Sequence, residues 1–167
     1  MFAELLQLGT KVRMVSAGSL LTALLIVVTR KHHLRWTAKG HAGTAIQSAH
    51  DTPTPRIGGL AVMVGLVLAA LLLGSEASGI MAILIVSSLP VFFAGLGEDI
   101  GFDISPRIRL AMAGISSILM IVLTGQSITH AGIVGIDWLL ALPAISFAFT
   151  VFATAGVAHA FNLVDGL

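Results

Sequence analysis

Charged side chains are absent from five long stretches of this sequence, and this pattern constrains the fold more than any other feature. The stretches are residues 14–29, 57–75, 77–97, 110–136 and 138–164. A helix of roughly 20 apolar residues crosses the hydrocarbon core of a bilayer. Only 10% of the residues are charged, against about 25% in an ordinary soluble domain. We therefore expect an all-α integral membrane protein with about five transmembrane helices.

The predicted spans are residues 14–29, 57–75, 77–97, 110–128 and 138–158, in a single membrane domain over 1–167. Residues 1–13 carry apolar side chains at helical spacing, which predicts either an interfacial helix or the beginning of the first span.

Small residues spaced four apart inside the spans predict close contacts between helices in lipid. These pairs are Ala61/Gly65, Ala113/Ser117, Ala144/Ala148 and Thr150/Thr154. Pro90 and Pro143 are predicted to lie inside spans, where neighbouring groups can satisfy the carbonyls that proline frees.

The distribution of lysine and arginine predicts the orientation, because short cytoplasmic loops carry an excess of both. The loops 30–56 and 98–109 hold seven such residues, whereas the other side of the membrane holds only Lys11 and Arg13. The two loops and the end of the chain, 159–167, are therefore predicted to be cytoplasmic. Every unusual polar cluster then lies on one membrane face.

The net charge, the cysteine content and the distribution of charge exclude several classes of function. A net charge of +1 gives no basic field for nucleic acid. The absence of cysteine excludes disulfides, thiolate zinc sites and a cysteine nucleophile. A transporter should carry charge within the membrane or a detectable repeat, and the uncharged stretches argue against that class.

The first polar cluster is residues 50–59, His-Asp-Thr-Pro-Thr-Pro-Arg-Ile-Gly-Gly. Arg56 immediately precedes the second predicted span, and Gly58 and Gly59 lie at the beginning of that span. A helix N-terminus offers free N–H groups and partial positive charge, which suit a phosphate. The same pattern is also typical of a helix-entry turn with a snorkelling arginine.

The second cluster follows the third span and contains Glu98 and Asp99. Adjacent carboxylates repel one another unless they are paired or bound to a metal, and hard oxygen ligands suit Mg²⁺. An acidic loop neutralised by Arg107 and Arg109 is the alternative interpretation.

The third cluster is residues 159–166, His-Ala-Phe-Asn-Leu-Val-Asp-Gly. Asn162 and Asp165 are three residues apart and share a face if the segment is helical, and His159 could join that face. The alternative is an amide and an acid that cap a helix end.

Taken together, the three clusters resemble motifs of the polyprenyl-phosphate N-acetylhexosamine-1-phosphate transferases. This bacterial glycosyltransferase 4 family also includes the phospho-MurNAc-pentapeptide translocase. The similar segments are residues 53–59, residues 95–99 with 105–110, and residues 160–166. They occur in the family's order and are separated by membrane spans.

Three departures from the family pattern stand out. The acidic pair is usually Asp-Asp and here is Glu98-Asp99, as in a branch that resembles O-antigen initiating transferases. His159 stands where the family has asparagine. The family has ten or eleven spans, so the resemblance covers its N-terminal half, and we expect this chain alone to be inactive.

The resemblance implies transfer of N-acetylhexosamine 1-phosphate from a UDP-sugar to undecaprenyl phosphate, with release of UMP. It implies Mg²⁺, with Mn²⁺ as an alternative, and a location in the bacterial inner membrane with the active face cytoplasmic. It assigns catalytic roles to Glu98, Asp99 and Asp165, and metal binding to Asp99 and Asp165.

By the same resemblance, Gly58, Gly59, Asn162 and His159 belong to the substrate site. Arg56 is the candidate phosphate clamp, because a planar guanidinium fork suits phosphate. The expected partners are undecaprenyl phosphate, a UDP-N-acetylhexosamine, the lipid bilayer and a second copy of the chain, without nucleic acid. The competing hypothesis is a non-catalytic truncated remnant or membrane interaction protein.

Overall fold

The computed structural model describes the backbone of residues 2–37 and 57–164. Within these two ranges the chain is almost entirely helical and contains no strand. The helices are α1 (Phe2–Val28), α2 (Arg30–Thr37), α3 (Gly59–Leu72), α4 (Ser75–Asp99), α5 (Pro106–Thr124), α6 (Ile136–Leu140) and α7 (Pro143–Val164).

Four of the described helices are long and apolar enough to cross a membrane. Their spanning parts are Leu6–Val28, Ala77–Asp99, Pro106–Thr124 and Pro143–Phe161. The prediction of an all-α, multi-pass membrane protein is confirmed. The helix at the second predicted span, α3, has 14 residues and is about 21 Å long at 1.5 Å per residue, which is shorter than a bilayer core.

The first two predicted spans differ in extent from the helices found. α1 continues from Phe2 to Val28 and its spanning part begins at Leu6, so residues 6–13 belong to the first span. α3 ends at Leu72 because Leu73 adopts an extended conformation, and α4 begins at Ser75. The Ser78 hydroxyl donates to the carbonyl of Ala70 at 2.6 Å and so satisfies one of the carbonyls left open at the end of α3.

Capping residues fix the ends of the later helices. Ser105 precedes α5 and its hydroxyl accepts the N–H of Ile108, while Gly125 ends α5 in the left-handed conformation with φ of 66°. Pro143 lies in the spanning part Pro143–Phe161, as predicted, but it is the first residue of α7 and so frees no carbonyl within the helix. Proline suits that position, where its missing N–H would have no helical partner.

Contacts divide the chain into two compact units, Met1–Val86 with Gly95–Asp103, and Ser87–Ala94 with Ile104–Leu167. In the first unit α1 packs against α3. The Ser19 hydroxyl donates to the carbonyl of Ala61 at 2.8 Å, and the side chain of Leu68 packs against α1 at Gly18. Ala61 and Gly65 are both buried, so the predicted contact at this pair is confirmed.

In the second unit the central part of α4 and the helix α7 contact α5. Pro90 interrupts the hydrogen bonds of α4, and the N–H of Val91 donates to the Ser116 hydroxyl on α5 at 3.1 Å. The Thr154 hydroxyl of α7 donates to Ser117 at 2.7 Å. A partner on a neighbouring helix is how a membrane helix tolerates proline.

The structure supports some of the other predicted small-residue contacts and contradicts one. Ala113 and Ser117 are buried in α5, and Thr150 is buried in α7, in agreement with the prediction. Ala144 and Ala148 are both exposed, so the predicted contact at that pair is wrong.

The segment that follows α5 is fastened to α7 by hydroxyl groups, which we call the α7 clip (Ser127, Ile128, Ser146 and Thr150). The N–H of Ile128 donates to the Thr150 hydroxyl at 2.8 Å, and the Ser146 hydroxyl donates to the carbonyl of Ile128 at 2.8 Å. Ser127 and Ser146 share a further hydrogen bond of 2.6 Å. Both backbone groups of Ile128 are therefore satisfied by side chains of α7.

The remainder of this loop is ordered around Asp137. One carboxylate oxygen accepts the N–H of Ala131 at 2.6 Å and that of Gly132 at 3.2 Å, and the other lies 3.7 Å from Nδ1 of His130. The hydrogen bond from Ala131, with help from His130, lowers the pKa of the Asp137 carboxyl below its ordinary value, because these contacts favour the charged form.

Candidate active site

The acidic pair lies at the C-terminal end of a membrane-spanning helix. Glu98 and Asp99 are the last two residues of α4, and both side chains are half-buried. Gly101, with φ of 97°, donates its N–H to the carbonyl of Glu98 at 3.0 Å, and Phe102 donates to Gly97 at 2.9 Å. These two bonds form a Schellman motif, which fixes the point at which α4 ends.

This position is electrostatically unusual for carboxylates. The C-terminal end of a helix carries partial negative charge from its open carbonyls, so anionic side chains are disfavoured there and cations are favoured. Two adjacent carboxylates add their own repulsion. Both acids therefore lie at the negative end of a helix, where the span reaches the membrane surface, and carboxylate oxygens are ligands that suit a hard divalent cation.

The glycine pair of the first cluster lies at the start of α3. Gly59 is the first residue of this helix and Gly58 precedes it in a right-handed helical conformation. Because neither glycine has a positive φ, the backbone alone does not require them. Both are exposed, and a Cβ at either position would meet nothing within 4 Å. The structure therefore shows two exposed glycines at the N-terminus of α3 and gives no conformational or packing reason for either.

The third cluster lies at the end of α7. The helix continues through Val164, so His159 and Asn162 lie one turn apart on one helix, as the spacing predicts. The side chain of His159 is half-buried.

Glu98 and Asp99 thus lie at the end of α4, and the backbone positions of His159 and Asn162 lie one turn apart near the end of α7. Glu98 and Asp99 belong to the first unit, and His159 and Asn162 belong to the second. Arg56 and Asp165 lie outside the described residues, so the predictions that depend on them stay predictions. Within the described part of the chain, no three His, Asp or Glu side chains lie close enough together to hold a metal ion.

Gly101 is a site residue that is not among those predicted above. It ends α4 directly behind the acidic pair and so sets where these carboxylates lie relative to the helix. A glycine shortly after an apolar run, here four residues beyond the uncharged stretch 77–97, is the signal that could have identified it.

Comparison with known families identifies a matching family model. The family model described as glycosyl transferase family 4 matches residues 80–167. This range contains the acidic pair at the end of α4 and the whole of the third cluster.

Several curated proteins are similar over most of the chain. An undecaprenyl-phosphate alpha-N-acetylglucosaminyl 1-phosphate transferase of Yersinia pestis is 30% identical over 118 residues, which is 71% of this chain and 32% of that protein. A probable undecaprenyl-phosphate N-acetylglucosaminyl 1-phosphate transferase of Bacillus subtilis (strain 168) is 27% identical over 151 residues, or 89% of this chain and 41% of that protein.

A decaprenyl-phosphate N-acetylglucosaminephosphotransferase of Mycobacterium leprae (strain TN) is 28% identical over 131 residues, which is 72% of this chain and 32% of that protein. The chain thus spans between about a third and two fifths of these relatives' length. No solved structure matches the chain significantly.

Proposed function

The chain belongs to glycosyl transferase family 4, and on that premise we propose that it takes part in a sugar-phosphate transfer at the membrane. The donor is a UDP-N-acetylhexosamine, the acceptor is undecaprenyl phosphate, and the lipid-diphospho-sugar product serves cell-envelope polysaccharide synthesis. The names of the relatives favour N-acetylglucosamine 1-phosphate as the transferred group. The single observation that carries the proposal is the Glu98-Asp99 pair at the membrane-surface end of α4.

The reaction is a phosphoryl transfer. An oxygen of the lipid phosphate attacks the phosphorus that bears the sugar, a new P–O–P bond forms, and the bond to UMP breaks with UMP as the leaving group. A phosphate monoester carries about −1.5 to −2 charges at pH 7, so the acceptor needs little help from a base. Positioning two anions and neutralising their charge is the main task.

In this proposal, the carboxylates of the chain bind the metal ion that neutralises the phosphates. The carboxylates of Asp99 and Asp165 would hold Mg²⁺, or Mn²⁺ in its place, with Glu98 beside them. When bound, the metal ion neutralises the phosphates and orients them. The negative charge at the end of α4 supports a cation there.

The substrate contacts would come from the other two clusters. Arg56 would clamp a phosphate with its planar guanidinium, next to the open N-terminus of α3 at Gly58 and Gly59. Asn162 and His159 would orient the donor from the end of α7. We place these groups on the cytoplasmic face of the bacterial inner membrane, because UDP-sugars are cytoplasmic solutes and the adjoining loops are rich in lysine and arginine.

We further propose that turnover needs the membrane segments that make up the rest of the relatives, because the matched part is 32% to 41% of their length. The second candidate is a non-catalytic membrane protein that keeps the family's N-terminal fold.

The experiment measures UMP release from UDP-N-acetylglucosamine by the protein purified from its native membrane and reconstituted with undecaprenyl phosphate and Mg²⁺. We expect Asp99→Asn to lower the rate at least about a hundred-fold, as for the loss of a group that stabilises transition-state charge. The matched control is Asp103→Asn, because Asp103 is an exposed aspartate of the same loop with no assigned role.

Full activity of the Asp99→Asn protein would refute the assignment of the site. An intact mass of 17.3 kDa with no UMP release from the unaltered protein would favour the non-catalytic candidate. Activity that survives chelation of divalent cations would remove the metal from the proposal.

A further inference from the structure

The short helix α2 begins at the point where the first membrane span ends. The spanning part of α1 ends at Val28, and α2 starts two residues later at Arg30. Thr29 forms the break between them, and its N–H and hydroxyl both donate to the carbonyl of Leu25. Because α1 is long and apolar enough to cross the bilayer, α2 starts at a membrane surface.

A side-chain contact holds α2 against the end of α1. Nε2 of His33 lies 2.9 Å from the carbonyl oxygen of Ile26, which belongs to the last turn of α1, where carbonyls lack helical partners. Leu34, the next residue, is half-buried. His33 and Leu34 therefore define the side of α2 that faces its own span.

The opposite side of α2 is basic. Lys31 and His32 are exposed. Arg35 and Trp36 each follow one of them by four residues of α2, the spacing at which positions along a helix share a side. The sequence has no aspartate or glutamate between Glu4 and Asp51. The positive charge of α2 is therefore not balanced by carboxylates of its own segment.

We propose that the basic side of α2, formed by Lys31, His32, Arg35 and Trp36, binds the headgroups of anionic phospholipids. Basic residues next to a span are attracted to anionic lipid headgroups, and tryptophan prefers the membrane–water interface. The exposed position at the end of a span and the complementary charge favour this partner. The inference does not depend on the proposed transferase activity.

The chain offers a direct optical probe of this surface. It contains only two tryptophans, Trp36 and Trp138, and no tyrosine, so the Trp138→Phe protein reports on α2 alone. This protein is placed in nanodiscs of phosphatidylcholine with a fifth of phosphatidylglycerol. Two sets of discs have the same composition and differ only in which lipid carries brominated acyl chains, which quench tryptophan fluorescence on contact.

We expect each brominated phosphatidylglycerol to quench Trp36 about two- to five-fold more than each brominated phosphatidylcholine, because headgroup charge enriches the anionic lipid around α2. The double change Lys31→Gln/Arg35→Gln should remove this preference, and raised salt should weaken it. The charge-conserving change Lys31→Arg/Arg35→Lys should keep it.

A matched control neutralises the basic pair near the other end of α1, as Lys11→Gln/Arg13→Gln, and should leave the preference of Trp36 unchanged. Equal quenching by the two lipids, or a preference that survives Lys31→Gln/Arg35→Gln, would overturn the proposal. Loss of the phosphatidylglycerol signal on adding one undecaprenyl phosphate per protein would overturn it as well, because α2 would then be a site for that lipid.

Discussion

Replacing Thr150 with valine tests whether the α7 clip holds the loop after α5. The Thr150 hydroxyl accepts the N–H of Ile128 at 2.8 Å and donates to the carbonyl of Ser146 at 2.7 Å. Valine has nearly the same shape, so the change removes the acceptor without leaving a cavity. The Ile128 amide then either stays without a partner or leaves α7.

The structure sets the size of this effect. Thr150 is only 7% exposed, and an amide left without a partner in a buried place costs about 1–3 kcal/mol. Hydrogen bonds between membrane helices average about 0.6 kcal/mol, because alternative partners are found. Since the loop can turn its amide toward water, we expect about 1 kcal/mol, or roughly a five-fold larger population of the open loop.

Amide hydrogen exchange of the protein in nanodiscs measures this population, because protection of a single segment reports its local opening. We expect the peptide that contains Ile128 to exchange about five-fold faster in the Thr150→Val protein. Thr154→Val is the control, because this hydroxyl bonds to Ser117 one turn further along α7 and should leave the loop unchanged. Unaltered exchange after Thr150→Val, or equal acceleration by both changes, would refute the reasoning.

Three further predictions concern other contacts. The Asp137 carboxylate, whose pKa is lowered by Ala131, should hold its loop fully above the ordinary aspartate pKa of about 3.9 and release it as the pH falls through the lowered value. Exchange of the Ala131 amide measures this, and Asp137→Asn should abolish the pH dependence. Ser19→Ala should cost about 0.6 kcal/mol by removing a bond between α1 and α3, seen as a lower midpoint in detergent-induced unfolding. Gly18→Leu should cost about 1–3 kcal/mol in the same assay, because the new side chain meets Leu68, and Leu68→Ala should restore part of the loss.

The membrane class could be predicted from the sequence because the bilayer core requires apolar, uncharged side chains along the whole length of a span. Charge-free runs of 16 or more residues are rare by chance and are needed for crossing. The ends of the helices could not be predicted as well, since they depend on local capping. α5 stops at Gly125 because that glycine adopts a left-handed conformation, although the uncharged run continues to residue 136.

Polar contacts inside the apolar helices were the least predictable feature. Serine and threonine four residues apart indicate close packing in general, and the spacing does not say which hydroxyl finds a partner. Thr150 supports a loop, Thr154 bonds to a neighbouring helix, and Ala148, two residues before Thr150, is exposed. Such choices depend on the approach of other segments, which a single helical pattern does not contain.

For the candidate site, the sequence predicts the kinds of residue better than their arrangement. The helix ends at Glu98-Asp99 and at Gly58-Gly59 lie where the pattern of spans places them. The Schellman motif at Gly101 could not be predicted from the acidic pair itself. It fixes the end of α4 and so places both acids at the negative end of a helix. The roles of Arg56 and Asp165 stay predictions.

The α7 clip also divides the loop between α5 and α6 into parts that tolerate insertions differently. Residues 127 and 128 are fastened to α7, so added residues there would break several hydrogen bonds. Val134, by contrast, is fully exposed and lies beyond both the clip and the amides that bind Asp137. A short epitope inserted after Val134 would leave the clip intact and would disturb only the turn before α6, in which the carbonyl of Ile133 accepts the N–H groups of Ile136 and Asp137 and the Asp137 carboxylate binds the preceding amides. Such a tag would report on which side of the membrane this loop lies.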